Sequence, residues 1–493
     1  MTNQTLLPFV FKGITTVQTS EQMTDLCSIN PKSNKSLERI KIEGSVLDSM
    51  YSIPENKLSR EELARHKRTL TMIPIDMSFS NQAPIQFNAF ESKGGILSVP
   101  RFYGLDNWGV PESDNTTLGA DMEAHKFSGI LNPIQQEACS ETLLRLNGSS
   151  KGGMVVLPCG YGKTVCALFI ASQMKRRTLV LVHKAFLVDQ WKERAETFLP
   201  GCKVGKIQQN TVNYEADIVI GMVQSLSKRE YAKEVMSSFG FLLIDESHHM
   251  AAPVLHKALR QIPARYVVGL SATPERRDGL TSLLYWSMGS ICYKIDRAPE
   301  HTLVSCMLYQ GGKRKEIVYK DGRISMPLML NSLVVDDDRN KIIAHRMKEC
   351  YDSDRYIIVL TDRIKQLHSL YVILSKLGVP AKDIGYYIGT TSETERKTSS
   401  ECRIILSTYT MAKEGLDIPR LDTLILATPK GDIVQASGRV QRKHPEKKTP
   451  LIIDVIDTFS VFEQLRWKRW AFYRKENFTC QTYDATDEVQ WFL

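Results

Sequence analysis

The chain has 493 residues, 42% of them hydrophobic and 24% charged, and its formal net charge is +9 at pH 7. This length predicts about three domains, and the composition is that of an ordinary globular protein. No apolar run is long enough to cross a membrane and no secretory signal pattern is present, so we expect a soluble, intracellular protein with no membrane partner. The ten cysteines include no C-x-x-C pair, which argues against a zinc ribbon, an iron–sulfur cluster and a disulfide framework.

Residues 1–125 predict a β-rich accessory domain. Short apolar or alternating runs are separated there by Gly, Pro, Asn and Ser, which is typical of strands and turns. Arg101, Phe102, Tyr103 and Trp108 combine a cation with aromatic groups. They either contact nucleic acid or pack at a strand end, and packing is the favoured interpretation of the two.

From residue 126 the pattern changes to apolar strands that alternate with helical segments. In a first block, 126–290, the strands are predicted at 153–157, 178–183, 216–222, 241–245 and 266–271. In a second block, 341–460, they are predicted at 356–361, 384–388, 403–408, 423–428 and 450–456. Continuous apolar strands with intervening helices are typical of parallel sheets covered on both faces. The sequence therefore predicts an α/β fold with two tandem parallel-sheet lobes, an interlobe linker at 291–340 and a tail at 461–493.

The segment LPCGYGKT, residues 157–164, predicts a phosphate-binding loop. It lies between a predicted strand and a predicted helix, so backbone N–H groups and the helix N-terminus would converge on one point. Lys163 is suited to β- and γ-phosphates, and the Thr164 hydroxyl is suited to Mg²⁺. The strict motif asks for Gly at position 157, where this chain has Leu, so an ordinary tight turn is the alternative for this segment taken alone.

Two further elements end predicted strands of the first block. Asp245 and Glu246 follow an apolar strand, at the sheet edge where ligands bind in such folds. Asp245 is placed to hold Mg²⁺, and Glu246 to orient or deprotonate an attacking water. Ser271 and Thr273 end the next strand, and their hydroxyls can relay a change at the nucleotide. His248 is a candidate bridge between these elements.

The second block carries residues that complete a nucleotide site. Gly415 permits close backbone approach, and Asp417 is suited to a ribose or phosphate contact across a cleft. Gln435, Arg439 and Arg442 have helical spacing, so both arginines can point to one side. An arginine from a second domain stabilises charge on the transferred phosphoryl group only when the cleft closes. The two blocks together therefore predict an ATP and Mg²⁺ site between them.

The ordered set Leu131-x-Pro133-x-Gln135, CGYGKT, LVHKAFLVDQW, DESHH, SAT, STYTMAKEGLDIP and QASGRVQR resembles a superfamily 2 helicase of the DExH type. The segments SATPERRDG, GLDIP and QASGR are most similar to the XPB-type branch and its large-DNA-virus relatives, including the poxvirus transcript-release helicases. The resemblance covers about 130–460. It implies two RecA-like lobes, an ATP-binding lobe 1 at 126–290 and a helicase C-terminal lobe 2 at 341–460.

The resemblance also implies roles for individual residues, carried over by motif. Nucleotide binding would fall to Gln135, Gly160, Gly162, Lys163, Thr164, Gly415, Asp417 and Gln435. Catalysis would fall to Lys163, Asp245, Glu246, Arg439 and Arg442, with Arg442 as the arginine finger and with Thr164 and Asp245 holding Mg²⁺. Coupling between the sites would fall to His248, Ser271 and Thr273. The strand path would be lined by His183, Lys184, Gln190, Trp191, Gln224, Ser225, Thr361, Arg363 and Thr408.

We therefore expect an ATP- and Mg²⁺-dependent DNA helicase or translocase in viral transcription, by transcript release, or in DNA repair. Its expected partner is single-stranded or duplex DNA held by the backbone, with RNA, an RNA–DNA hybrid and the transcription machinery as further candidates. A viral protein would act in the virion, the host cytoplasm or the virus factory. The alternatives are an RNA-directed DExH helicase, the motor subunit of a restriction-type complex, and a non-catalytic nucleic-acid clamp. The sequence sets neither polarity nor oligomeric state.

The tail segment RWKRWAFYRK, residues 466–475, interleaves cations with aromatic side chains. Base stacking combined with phosphate contact suits single-stranded nucleic acid. A helix that docks its aromatic residues on lobe 2 explains the same pattern, and the sequence leaves both interpretations open.

Overall fold

The computed structural model describes residues 41–74 and 86–485, apart from 124, 159, 251, 274, 277, 297–300, 312–314, 415, 417, 443 and 446. A large part of the predicted accessory domain, residues 1–40 and 75–85, lies outside the described residues, as do residues 486–493. Within the described residues, none of the helices is both long and apolar enough to span a membrane.

The N-terminal part of the described chain is rich in short strands. Its elements are β1 (Val46–Leu47), β2 (Met50–Pro54), α1 (Arg60–Thr69), β3 (Thr71–Met72), β4 (Phe87–Asn88), β5 (Glu91–Lys93), β6 (Ile96–Pro100), α2 (Arg101–Trp108) and β7 (Ser113–Asp114). Five strands form one sheet in the order β5-β6-β2-β1-β7, and β3 pairs with β4. This confirms the predicted strand-rich character of the N-terminal region.

α2 buries the cationic and aromatic side chains for which the sequence left two interpretations. Arg101 is 5% exposed and donates a 2.8 Å hydrogen bond to the carbonyl of Ala264, in lobe 1. Phe102 and Tyr103 are also buried, and the Tyr103 hydroxyl lies 2.7 Å from Nδ1 of His66. These contacts support packing rather than nucleic-acid contact for these three residues.

Lobe 1 is built around an eight-stranded sheet. Its elements are α3 (Pro133–Asn147), β8 (Gly152–Val156), α4 (Lys163–Met174), β9 (Thr178–Val182), α5 (Ala185–Phe198), β10 (Val204–Gln208), β11 (Thr211–Asn213), β12 (Ile218–Met222), α6 (Val223–Lys228), α7 (Lys233–Ser237), β13 (Phe241–Ile244), α8 (Ala252–Leu259), β14 (Tyr266–Ser271), α9 (Thr281–Met288) and β15 (Ile291–Lys294). The strand order is β11-β10-β12-β9-β13-β14-β8-β15, and the paired strands are parallel except for the β10–β11 hairpin.

Lobe 2 is built around a seven-stranded, fully parallel sheet. Its elements are β16 (Leu303–Tyr309), α10 (Met326–Val334), α11 (Asp337–Asp352), β17 (Ile357–Thr361), α12 (Ile364–Lys376), β18 (Ile384–Tyr387), α13 (Glu393–Ser400), β19 (Ile404–Thr408), α14 (Tyr409–Glu414), β20 (Thr423–Leu426), α15 (Val434–Val440), β21 (Leu451–Asp457), α16 (Val461–Lys475) and β22 (Thr479–Asp484). The strand order is β18-β19-β17-β20-β21-β16-β22. The predicted α/β class with two tandem parallel-sheet lobes is confirmed.

The continuous apolar strands are explained by burial of both faces of each sheet. In β9, Val180 and Val182 belong to one hydrophobic cluster, whereas Leu179 and Leu181 belong to the cluster on the opposite face. All four side chains are fully buried. Since successive side chains of a strand point to opposite faces, a strand covered on both sides has no polar positions to alternate.

The predicted linker and tail both contribute strands to the sheets. β15, within 291–340, pairs with β8 at the edge of the lobe 1 sheet. β16, also within 291–340, lies between β21 and β22 in the lobe 2 sheet. β22 itself comes from the predicted tail. Each sheet thus includes strands from outside the range predicted for its lobe, and the division into domains remains a prediction.

Candidate nucleotide site between the two lobes

The predicted phosphate loop leaves β8 and enters α4 through two glycines with left-handed backbone. Gly160 has φ of 87°, and Gly162, the residue before α4, has φ of 81°. A Cβ atom at Gly162 would lie 2.3 Å from Nε2 of Gln135, so glycine is needed there for space as well as for conformation. That Nε2 donates to the carbonyl of Tyr161 at 3.1 Å, and Oε1 of the same side chain accepts from the backbone of Asn132. Gln135 is therefore held against the loop.

Lys163 and Glu246 meet at the end of this loop. Lys163, the first residue of α4, is 9% exposed, and its Nζ lies 3.2 Å from Oε1 of Glu246. The ammonium group also donates to the carbonyl of Leu157 at 3.4 Å. Glu246 has φ of 46°, a left-handed conformation that is costly for a non-glycine residue and that recurs at functional sites. The predicted phosphate-binding cation and the predicted catalytic base thus lie in contact.

Asp245 is buried directly after β13. It is 6% exposed, and its Oδ2 accepts a 2.8 Å hydrogen bond from Nε1 of Trp191 on α5. Burial, together with the negative charge of Glu246, raises the pKa of Asp245 to about 6, although the Trp191 hydrogen bond and the Lys163 charge oppose the rise. A bound cation would lower the free energy needed to keep this buried carboxylate ionised.

His248 connects the acidic loop with the end of β14 and with lobe 2. Its Nδ1 lies 2.8 Å from Oγ of Ser271 and 3.5 Å from Oε2 of Glu246. Ser271 Oγ in turn accepts from the backbone N–H of Thr273 at 3.2 Å. The other ring nitrogen, Nε2, lies 3.4 Å from Nε2 of Gln435 on α15. The three predicted coupling residues are thus brought together, and one of them, His248, reaches the second lobe.

The two arginines predicted for lobe 2 lie in different surroundings. A Cβ atom at Gly160 would lie 3.1 Å from both Cγ and Nε of Arg442, so the Arg442 side chain already covers the phosphate loop. Arg439 is 9% exposed and donates to the carbonyls of Ala412 and Leu416, at 2.8 Å and 2.7 Å. Arg439 therefore holds the end of α14 and the loop after it by hydrogen bonds to their backbone. Two predicted nucleotide contacts in that loop, Gly415 and Asp417, lie outside the described residues.

The residues at the loop and at the end of β13 fit a divalent cation. Thr164 and Asp245 offer a hydroxyl oxygen and a carboxylate oxygen, the hard donors that Mg²⁺ prefers. Asp245 is buried, and the neighbouring Glu246 lies 3.2 Å from the ammonium group of Lys163. Additional positive charge would favour the ionised form of Asp245 in this setting.

The predicted strand-path residues divide into a buried group and a surface group. His183 is 8% exposed, Trp191 1%, and Thr361 is fully buried with its hydroxyl donating to Oε1 of Gln366. The side chains of these three residues are buried, and their part in the strand path stays a prediction. The remaining six keep partly or fully exposed side chains, namely Lys184, Gln190, Gln224, Ser225, Arg363 and Thr408.

One of these surface residues lines a groove between the lobes. Gln190 on α5 lies beside Phe186 and Asp189, and the opposite wall is formed by lobe 2 residues that include Arg396 and Lys397 of α13. The cavity has a volume of about 220 Å³. α5 therefore presents Gln190 to this groove while Trp191, the next residue, hydrogen-bonds the carboxylate at the nucleotide site.

The sequence of the chain is similar to one family model and to proteins of large DNA viruses. Residues 128–276 match the family model described as "Type III restriction enzyme, res subunit". The chain is 32% identical over 453 residues to "Putative ATP-dependent RNA helicase L396" of Acanthamoeba polyphaga mimivirus, over 89% of this chain and 87% of that protein. It is 24% identical over 379 residues to "Putative ATP-dependent RNA helicase QP509L" of African swine fever virus, over 68% of this chain and 72% of that protein.

Two solved structures share the fold. The ATP-dependent Type ISP restriction-modification enzyme LlaBIII bound to DNA aligns with a TM-score of 0.52 at 15% identity, over 74% of this chain and 32% of that one. S. cerevisiae Dbp5 bound to RNA and ADP BeF3 aligns with a TM-score of 0.50 at 13% identity, over 72% of this chain and 90% of that one. At these identities the likeness shows the fold alone.

Tandem parallel sheets with a phosphate loop and an acidic pair at the strand ends define a two-lobed P-loop ATPase. The 32% identity with the mimivirus protein over most of both chains places the sequence more narrowly. The chain belongs to the superfamily 2 helicases, a family of nucleic-acid-dependent ATPases, together with relatives from large DNA viruses.

The contacts of two side chains at the site, Trp191 and Arg276, could not be inferred from sequence. Trp191 points inward to Asp245, and the motif letters alone give no indication of which way the indole faces. Arg276, 9% exposed, forms an ion pair with Asp278 and donates to the carbonyl of Met250 at 2.6 Å. It therefore ties the segment after β14 to the acidic loop.

Proposed function

We propose that the protein is an ATP- and Mg²⁺-dependent motor that translocates along DNA or unwinds it. The observation that carries this proposal is the convergence of both lobes on one loop, with Arg442 of lobe 2 lying over Gly160 of lobe 1. A nucleotide site completed by a second lobe couples nucleotide binding to the relative position of the lobes. Such coupling is what a motor requires.

In this proposal, hydrolysis uses side chains that are already close together. Lys163 exchanges its contact with Glu246 for the phosphates of ATP. Glu246, once released, orients or deprotonates the attacking water. Thr164 and Asp245 would hold Mg²⁺, which would supply positive charge to neutralise the phosphates. Arg442 stabilises the charge that develops on the transferred phosphoryl group.

His248 is the proposed link from the nucleotide to lobe movement. It lies near Glu246 and Ser271 in lobe 1 and 3.4 Å from Gln435 in lobe 2. When Glu246 changes partner, the charge beside the imidazole changes, and so does the strength of its contact with Gln435. Binding and hydrolysis would thereby alternately strengthen and weaken the contact between the lobes.

DNA is proposed as the track because SATPERRDG, GLDIP and QASGR resemble the XPB-type branch. RNA is the second candidate, since the mimivirus and African swine fever virus relatives carry RNA helicase in their names. Because these two relatives come from viruses, we further propose a role in viral transcription, by transcript release, or in DNA repair. The partner strand would be held mainly by its phosphates, so binding should weaken steeply with salt.

Strand displacement tests the proposal directly. Duplexes of one sequence are prepared as DNA, RNA and hybrid, each with a single-stranded overhang, and are incubated with wild-type protein or Lys163→Ala, with and without ATP. The exposed Lys376→Ala on α12 is the matched control. We expect ATP-dependent displacement of DNA by wild type and by the control but not by Lys163→Ala. Displacement of RNA alone would favour the second candidate, and full activity in Lys163→Ala would contradict the proposed site.

A further inference from the structure

The tail helix α16 has an inner face fixed to lobe 2. Arg469 and Tyr473 are each 1% exposed, and both donate to Oδ2 of Asp454 on β21 at 2.9 Å. Phe462 is also buried, in a cluster with α10. The docking interpretation of the tail is therefore right for these residues, which leaves the other side of the helix to be explained.

The opposite side of α16 is cationic. We define the outer face as the exposed side chains on one arc of the helix, namely Gln464, Trp467, Lys468, Ala471, Arg474 and Lys475. It contains three cations and no acid. A surface of this charge attracts an anionic partner, and an acidic protein or a nucleic acid would both satisfy the charge alone.

Trp467 distinguishes between these partners. It is 55% exposed, and its ring is held by an edge-to-face contact with Trp470, at 5.6 Å between centroids. The Arg466 guanidinium lies 5.3 Å from the Trp467 centroid and is itself fixed by a 2.9 Å hydrogen bond to Glu463. The indole is thus oriented in advance while more than half of its surface remains in water. A nucleobase could stack on it at little entropic cost.

The position of α16 connects the outer face to the proposed strand path. Arg469 donates to the carbonyl of Lys430, and Nζ of Lys430 donates to Asp362 at 2.8 Å. Asp362 precedes Arg363, a predicted strand contact, whose side chain donates to Asn331 of α10 at 2.7 Å. α10 and α16 also pack together in one apolar cluster. These contacts link the inner side of α16, through Lys430 and through α10, to the segment Asp362–Arg363 at the carboxyl edge of the lobe 2 sheet.

We propose that the outer face of α16 binds single-stranded nucleic acid and extends the strand path of lobe 2, an inference that rests on the proposed function. The exposed indole requires a base whose face is free, which a single strand offers and a duplex withholds. Lys468, Arg474 and Lys475 would contact the phosphates on either side of the stacked base.

Binding of fluorescent oligonucleotides by the full chain tests this inference. Affinities for a single-stranded DNA, the matching RNA and a blunt duplex are measured by anisotropy for wild type, Trp467→Ala and Trp467→Phe. Leu144→Ala, at a 70% exposed apolar position on α3, is the control. We expect Trp467→Ala to weaken single-strand binding by about 5- to 100-fold, with the duplex affinity changed much less. Trp467→Phe should recover most of the loss, and Leu144→Ala should match wild type.

Three results would overturn the inference. Unchanged single-strand affinity in Trp467→Ala would exclude the stacking contact. An equal loss of affinity for single strand and duplex would mean that the indole does not act by stacking on a free base. Failure of Trp467→Phe to recover binding would mean that the aromatic ring is not what binds. A wild-type protein that binds none of the probes would contradict the proposed function itself. This result is distinguishable from failure of the inference because it is seen in wild type, without any variant.

Discussion

Replacing Asp245 by Asn is expected to stabilise the nucleotide-free protein at neutral and alkaline pH. Burial, together with the negative charge of Glu246, raises the folded-state pKa of this carboxyl from the ordinary 3.8 to about 6. For a group whose folded pKa is raised, stability is fully present below the unfolded pKa and is lost as pH rises through the folded pKa. Ionised Asp245 therefore lowers the free energy of unfolding of wild type above about pH 6.

The size of the effect follows from the pKa difference. About 2 pKa units correspond to roughly 3 kcal/mol, because each unit is about 1.4 kcal/mol. In Asp245→Asn the side chain is neutral at every pH and still offers an oxygen to the Trp191 indole N–H. If lobe 1 unfolds as a unit, 3 kcal/mol would raise its midpoint by about 6–12 °C. The variant should lose ATP hydrolysis, since it lacks the proposed metal-binding carboxylate.

Thermal unfolding without nucleotide, followed from pH 4 to pH 8, measures this effect. We expect the variant to melt above wild type at pH 8 and the difference to vanish near pH 4. The exposed Asp189→Asn on α5 serves as the control and should melt with wild type. Asp245→Asn melting below wild type at pH 8, or a difference that does not shrink on acidification, would refute the reasoning from burial.

Three further substitutions test the site. Trp191→Phe removes the hydrogen bond to Asp245, which contributes about 1.5–3 kcal/mol. Half-maximal ATP hydrolysis should therefore need roughly 10- to 100-fold more Mg²⁺. An unchanged Mg²⁺ titration would exclude this positioning role for Trp191. Arg442→Ala should lower kcat on the order of 10³-fold with little change in KM for ATP, and a change confined to KM would argue against a finger. Gly162→Ala should cost about 1–3 kcal/mol through its φ of 81° and crowd Gln135, visible as weaker binding of a fluorescent nucleotide; normal binding would mean the loop tolerates a side chain.

The parts that sequence predicts well are those with local causes. The strands 178–183 and 241–245 read as uninterrupted apolar runs because both faces of β9 and β13 are covered. The phosphate loop is equally local, since its glycines, lysine and threonine are contiguous. The fold class and the family follow from such segments taken in order.

The parts that sequence misses depend on distant partners. The sequence pattern places residues 303–309 in a linker, whereas β16 forms there and is flanked by β21 and β22, strands that come more than 100 residues later in the chain. The direction of Trp191 depends on where β13 ends relative to α5, which helical spacing does not specify. The pattern of the tail likewise fits both docking on lobe 2 and strand binding. Only the hydrogen bonds to Asp454 show that Arg469 and Tyr473 lie on the inner side of the helix and Trp467 does not.

The most direct test of the account is ATP hydrolysis by wild type and Glu246→Gln without nucleic acid and with single-stranded DNA, duplex DNA or RNA. Glutamine keeps the shape of the side chain but cannot act as a base, and it removes the negative charge 3.2 Å from Lys163. The account predicts hydrolysis that is strongly stimulated by DNA in wild type and lost in Glu246→Gln, with ATP binding retained. Hydrolysis that persists in the variant, or that responds to no nucleic acid in wild type, would contradict it.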